Sequence, residues 1–166
     1  MSSKKLWSNY QETGVAQALG WKVVPGSGSR HLYPGDVSSA NWLGECTTHV
    51  YDNYTIQFNC RVWQKICNEA RSRFKQPVLF VDDGSHLLDR TWAMFSTTVG
   101  LPEGTIISEY PYNIRKNIVF SGGELGNRII NNSGDGRAIV YRILDWEHSS
   151  VYVCKFRYFV DMFGEV

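Results

Sequence analysis

The chain has 166 residues, of which 43% are hydrophobic and 14% aromatic, and its formal net charge is +1. That length and composition predict one globular domain with a real core and exclude a low-complexity chain. The charge is unevenly spread: nine Lys/Arg against five Asp/Glu through Lys75, then eight against eleven. A basic first half fits an anionic partner.

The opening "MSSKKLWSNYQETG" has no signal-peptide-type apolar core, and no stretch approaches the apolar run of a membrane helix. These features predict a cytosolic chain with no membrane partner. Cys46, Cys60, Cys67 and Cys154 are then expected to stay reduced. They form no C-x-x-C and read as buried small hydrophobes rather than a zinc site.

Residues 4–19 read as a first helix, with Leu6, Tyr10, Val15, Ala16 and Leu19 on one stripe and Gly20 placed to end it. "WKVVPGSGSR" reads as a short strand entering a Gly/Ser loop. Asp36–Ser38 and Trp42–Thr48 read as two strands joined by a tight turn at Ala40-Asn41. "YTIQFNCRVWQKICNEARSRF" is the clearest helix. Phe58, Val62, Trp63, Ile66, Cys67, Ala70 and Phe74 share its apolar face, and Arg61, Gln64, Lys65, Asn68, Arg71 and Lys75 lie away from it. "QPVLFVDDG" is a buried strand closed by Gly84. Residues 86–98 are expected to be helical. Ile106–Tyr110, Asn117–Ser121, Ala138–Leu144 and "VYVCKF" are expected strands, "NNSGDG" a turn, and "RYFVDMFGEV" a closing helix. The order predicts an α/β or α+β fold: a mixed central sheet flanked by helices.

Asp36 and Glu45 are the strongest chemical signal. A tight turn lies between them, and in an antiparallel hairpin such residues can approach across the ladder. Glu45 and Thr47, two apart, project to one face. Apolar neighbours suggest burial, and two buried carboxylates call for a cation or donors. Mg²⁺ suits such a pair, since it accepts one or two carboxylates plus water and phosphate; the alternative is an exposed turn Asp and an edge-strand Glu. "GSGSRH" (26–31) lacks the third glycine and the following helix of a dinucleotide loop; it is a flexible turn or a loop that phosphate approaches closely. The four histidines, at 31, 49, 86 and 148, show no metal-ligand spacing and read as surface or satisfied residues, except that His49, close behind the Glu45 strand, stays open.

"PGDV", then "ECTT", then "YTIQFNCRVWQKICNEA" and "QPVLFV" resemble the phage-type Holliday junction resolvase branch of the PD-(D/E)XK nucleases. "ALGWKVVPGSGS" and "VYVCKFRYFVDMF" are similar to its entry and closing segments. The resemblance covers a core of about 4–83 plus 150–163, with 86–148 as an elaboration of the same single domain. It implies a restriction-endonuclease-like core and a homodimeric DNA endonuclease that uses Mg²⁺ or Mn²⁺ on DNA, branched DNA included. For a phage-encoded chain, the host cytosol is the implied location. It further implies metal ligands at Asp36, Glu45, the Cys46 backbone carbonyl and Glu12, and DNA contacts from Ser27 or Ser29. Arg30, Arg61, Arg71, Arg73 and Lys75 are candidates for a phosphate-tracking surface.

The chain departs from that family at one point. The family's lysine, two residues after the glutamate, is Thr47 here, and a hydroxyl brings no positive charge. Either Thr47 suffices, or Lys65, Arg61 or Lys22 supplies the cation, or the chain is a catalytically weak or inactive nuclease-fold protein that binds DNA or regulates. Residues 86–148 are rich in aromatics, which serve either the core or a dimer or partner face.

Overall fold

The computed structural model describes residues 3–25, 35–48, 55–82, 87–113, 118–121, 139–144 and 150–165. Helix α1 (Ser3–Leu19) is followed by β1 (Lys22–Val23), β2 (Val37–Ser38) and β3 (Trp42–Thr48). These three strands form an antiparallel meander, with Lys22 opposite Ser38 and Val37 opposite Gly44. After β4 (Thr55–Phe58), helix α2 (Cys60–Ser72) crosses over the sheet to β5 (Gln76–Asp82), which runs parallel to β3. The rest comprises a 3₁₀ turn at Leu88–Arg90, then β6 (Thr91–Phe95), β7 (Ile106–Asn113), β8 (Ile118–Ser121), β9 (Ile139–Leu144), β10 (Ser150–Lys155) and helix α3 (Phe156–Phe163).

Eight strands form one mixed sheet in the order β1-β2-β3-β5-β6-β10-β9-β7, while β4 and β8 pair separately. The fold is mixed α+β, a central sheet flanked by helices. Residues after 86 supply β6, which lies between β5 and β10 in the sheet. Val78, Leu79, Phe80 and Val81 of β5 are wholly buried, as befits a strand covered on both faces. On one side α2 inserts Trp63, Ile66 and Ala70. On the other, Trp42 of β3 meets Phe159 of α3 edge-on at 5.2 Å, and Phe80 meets Phe156 at 5.5 Å.

Three local expectations are corrected. Thr55–Phe58 is a strand rather than the first turn of the second helix. That helix begins where Asn59 caps it, its side chain accepting from the N–H groups of Arg61 and Val62 at 2.9 and 3.3 Å. The predicted 86–98 helix is instead the 3₁₀ turn and β6. "TWAMF" is buried at every position, and a short all-apolar run does not distinguish strand from helix by period. On α1, Tyr10 is 64% exposed and the buried stripe runs through Gln11, Glu12, Val15, Ala16 and Leu19.

Phe74 also leaves its expected face. The helix ends at Ser72, and the Phe74 N–H bonds the Arg71 carbonyl while the Lys75 N–H bonds that of Ala70. This paired closure demands a left-handed residue, usually glycine. Phe74 takes it at φ +56° and is 97% exposed, a conformation that costs a side-chain-bearing residue about 1–2 kcal/mol.

Candidate functional site

The site is built where β2 ends against β3. Gly35 adopts φ +73°, a value that glycine reaches without strain. The next residue, Asp36, is aligned by its own N–H on the Gly44 carbonyl at 2.7 Å. Gly44 permits the close approach: a Cβ there would lie 2.8 Å from Val37 Cγ2 and 3.0 Å from Phe80 Cε2. Asp36 is buried, and its Oδ2 accepts the Cys46 N–H at 2.8 Å. Its carboxylate thus takes the ladder position beside β3 that β2 has vacated. A strand residue sends its N–H and C=O to the same edge, so the Cys46 carbonyl opens on the Asp36 side.

Glu45 precedes Cys46 and points to the α2 face, where Lys65 Nζ lies 3.3 Å from its Oε1. Burial, then the charge of Asp36, raise the Glu45 carboxyl to about 7, with Lys65 acting against them. The two acids are therefore electrostatically coupled. Burial pulls the Lys65 ammonium down, but Glu45 and Glu69 more than offset it, so it titrates above its usual range. Lys65 also approaches Glu69, one turn along α2, at 3.9 Å. Thr47 shares Glu45's face by strand alternation. Its hydroxyl donates to the Phe80 carbonyl at 3.5 Å, a long bond.

The opposite face of β3 carries Cys46 and Thr48. Burial, with Asp36, Glu12, Glu45 and Asp82 around it, holds the Cys46 thiol well above its ordinary range. This disfavours the thiolate, and it is the Cys46 backbone that meets Asp36. Glu12 is 6% exposed, on the buried stripe of α1. Beside it, Gln11 donates through Nε2 to the Thr47 carbonyl at 3.0 Å and accepts the Thr48 hydroxyl at 3.3 Å. The same hydroxyl lies 3.3 Å from Oδ2 of fully buried Asp82.

The structure therefore brings together Asp36, Glu45, the Cys46 backbone and Lys65, with buried Glu12 of α1 close enough for its charge to act on the Cys46 thiol and Arg61 exposed one turn before Lys65. Lys22 lies on β1, opposite Ser38. Ser27, Ser29, Arg30, the "GSGSRH" loop, "NNSGDG" and all four histidines fall outside the described residues. Among the described residues no group of three or more His, Cys, Asp or Glu side chains is arranged to hold a metal. Two carboxylates and a carbonyl at the β2–β3 junction are hard oxygens of the kind that Mg²⁺ or Mn²⁺ accepts. Burial first, and then Asp36, disfavour an ionised Glu45, and the chemistry of these donors fits a divalent cation.

Gln11 and Asp82 are parts of the site that sequence reasoning missed. Gln11 stands four before Val15, a helical step along the stripe where an apolar residue is expected. Asp82 ends the apolar run of β5, and parallel pairing sets it against Thr48. No helix among the described residues is long and apolar enough to cross a membrane. Compared with protein-family models, curated proteins and solved structures, the chain matches none of them.

Proposed function

We propose that the chain is a divalent-metal-dependent DNA endonuclease that hydrolyses phosphodiester bonds, with branched DNA as its substrate class and a homodimer as its working form. The observation that carries this reading is the junction of β2 and β3: the Asp36 carboxylate sits on the Cys46 amide, directly beside a Glu45 that burial and Asp36 hold near neutrality. The element order within the main sheet supports a PD-(D/E)XK-like core: helix, three-stranded meander, helix, then a strand parallel to the third, with β4 set outside that sheet before the second helix.

Asp36, Glu45 and the Cys46 carbonyl would hold the ion, which, when bound, activates a water and offsets charge on the scissile phosphate. Lys65 brings to Glu45, from α2, the positive charge that Thr47 lacks. Gln11 ties the end of β3 to α1 and so fixes the strand that carries the site. Arg61, Lys65 and Arg71 are exposed along α2 and spread positive charge over about 15 Å of its axis, a surface that suits a phosphate backbone.

The test is incubation with labelled four-way junction, flap and duplex DNA in Mg²⁺ or Mn²⁺. Metal-dependent products that vanish in Asp36→Ala support the reading; products that persist in that variant contradict it. A second reading is favoured by the Thr47 hydroxyl turned toward the Phe80 carbonyl and by Lys65 already engaged with Glu45. It makes the chain a nuclease-fold protein that binds DNA and cuts weakly or not at all. Cleavage that appears only in Thr47→Lys selects this alternative.

A further inference from the structure

The far end of α2 carries features that stability does not explain. Phe74 is almost wholly exposed, and it occupies a left-handed position that glycine would fill without strain. Beside it lies a hollow of about 490 Å³, walled by Trp63, Cys67, Pro77 and Val151, with Phe74 and Arg71 among its lining residues. That volume is within the range of pockets that enclose small organic groups. Arg71, which lines the hollow, and Arg73, next to Phe74 in the chain, are both exposed, and neither has an ion-pair partner among the described residues. Lys75 adds a third charge, its ammonium donating to Ser38 Oγ and the Ser39 carbonyl, both at 2.7 Å.

We propose that Phe74 and this hollow receive an unpaired nucleotide of bound DNA: the base stacks on the Phe74 ring while Arg71 and Arg73 hold the flanking phosphates. An aromatic platform within a cationic collar is the general means of holding single-stranded nucleic acid, because every base offers a π-face. Charge decides against a second copy of the chain as the occupant. A two-fold contact through Phe74 would set Arg71, Arg73 and Lys75 of one copy against the same residues of the other. The position suits the basic surface of α2, since the helix ends at Ser72, about 10 Å along its axis beyond Lys65, and Phe74 follows in the turn that closes it. A branched substrate offers both paired and unpaired nucleotides over such a span. The inference rests on the DNA-binding half of the function proposed above and is independent of cleavage.

The test measures affinity in EDTA for a single-stranded oligonucleotide carrying 2-aminopurine and for a fully paired duplex, with Phe74→Gly and Phe74→Trp. Phe74→Gly is expected to bind the single strand about tenfold more weakly, the scale of one lost stacking contact. It should leave the duplex affinity unchanged and lose the 2-aminopurine quenching that the parent shows. Phe74→Trp should retain both. The glycine variant should also melt higher than the parent, so weaker binding is not ascribed to damage. Equal single-strand affinity in parent and Phe74→Gly overturns the inference, as does a variant that only converts a dimer to a monomer. A parent that binds neither DNA overturns the underlying DNA reading too. Stacking without any metal-dependent cutting supports this inference and removes only the catalytic proposal.

Discussion

The middle of α2 and its end break opposite rules. Midway along it, half-exposed Lys65 reaches an ion pair with the mostly buried Glu45 of β3, so charge is drawn to a place where apolar groups belong. At its end, Phe74 is placed where polar groups belong, in a backbone conformation made for glycine. Elsewhere the helix is ordinary, with Trp63, Ile66 and Ala70 in the core and a satisfied Asn59 cap. Departures from local preference that nothing nearby offsets concentrate at working surfaces. The difference between the two places teaches what each can offer: the first a charged, partly dehydrated site, the second an exposed ring in a basic setting.

The largest expected effect lies at the first of these, the carboxylate site that Lys65 faces. Asp36→Ala should lower metal-dependent cutting by at least about 10²–10³-fold, the scale of removing one group that stabilises developing charge. Gel assays of the junction substrate measure it, and a change of a few fold would separate Asp36 from the reaction.

Next is the pH dependence of stability. Below about pH 4.5 the Glu45 carboxyl is protonated in both folded and unfolded chains and contributes nothing. Between that value and about 7 the folded chain keeps a proton that the unfolded chain has lost, so stability falls as pH rises. Above about 7 the whole penalty applies, on the order of 3 kcal/mol for this shift. Glu45→Gln should therefore be more stable than the parent at pH 8, by up to that amount less the lost Lys65 contact, and equal to it at pH 4. Urea unfolding at the two pH values checks the sign; a variant less stable at pH 8 would show that the buried charge is already compensated. Lys65→Met should extend the parent's loss of stability to higher pH, because Lys65 acts to lower the Glu45 carboxyl.

Gly44→Ala should cost about 1–3 kcal/mol, since its methyl meets Val37 and Phe80 inside a filled layer. Its metal affinity should fall further than stability alone implies, because the β2–β3 spacing positions Asp36. The smallest effect belongs to the end of α2: Phe74→Gly should stabilise by about 1 kcal/mol, visible as a rise of a few degrees in Tm. A fall in Tm would mean that the ring contributes to packing.

Much of this architecture was legible in the residues. The meander, the second helix and β5 carry strong periodicity or long apolar runs, and the Asp36/Glu45 pairing follows from hairpin geometry. What was not legible has physical reasons. Phe58 and Phe74 continue the apolar stripe of α2 in sequence, but Asn59 caps the helix after the first and the left-handed turn redirects the second. "TWAMF" lacks alternation because both its faces are covered. Gln11 and Asp82 look like surface residues in a one-dimensional pattern and become buried only when α1 and β5 close on the end of β3. Lys65 read both as a solvated lysine on a polar helix face and as one of three candidate cations with Arg61 and Lys22; which turn of α2 faces Glu45 is decided by the register of the crossover.

The central claim is that Asp36 and Glu45 together grip one divalent ion. Calorimetric titration of the protein with Mn²⁺ at pH 8, beside Asp36→Ala and Glu45→Gln, tests it most directly. The account predicts one saturable site in the parent that both variants lose. Equal binding by all three proteins, or none by the parent, would contradict it.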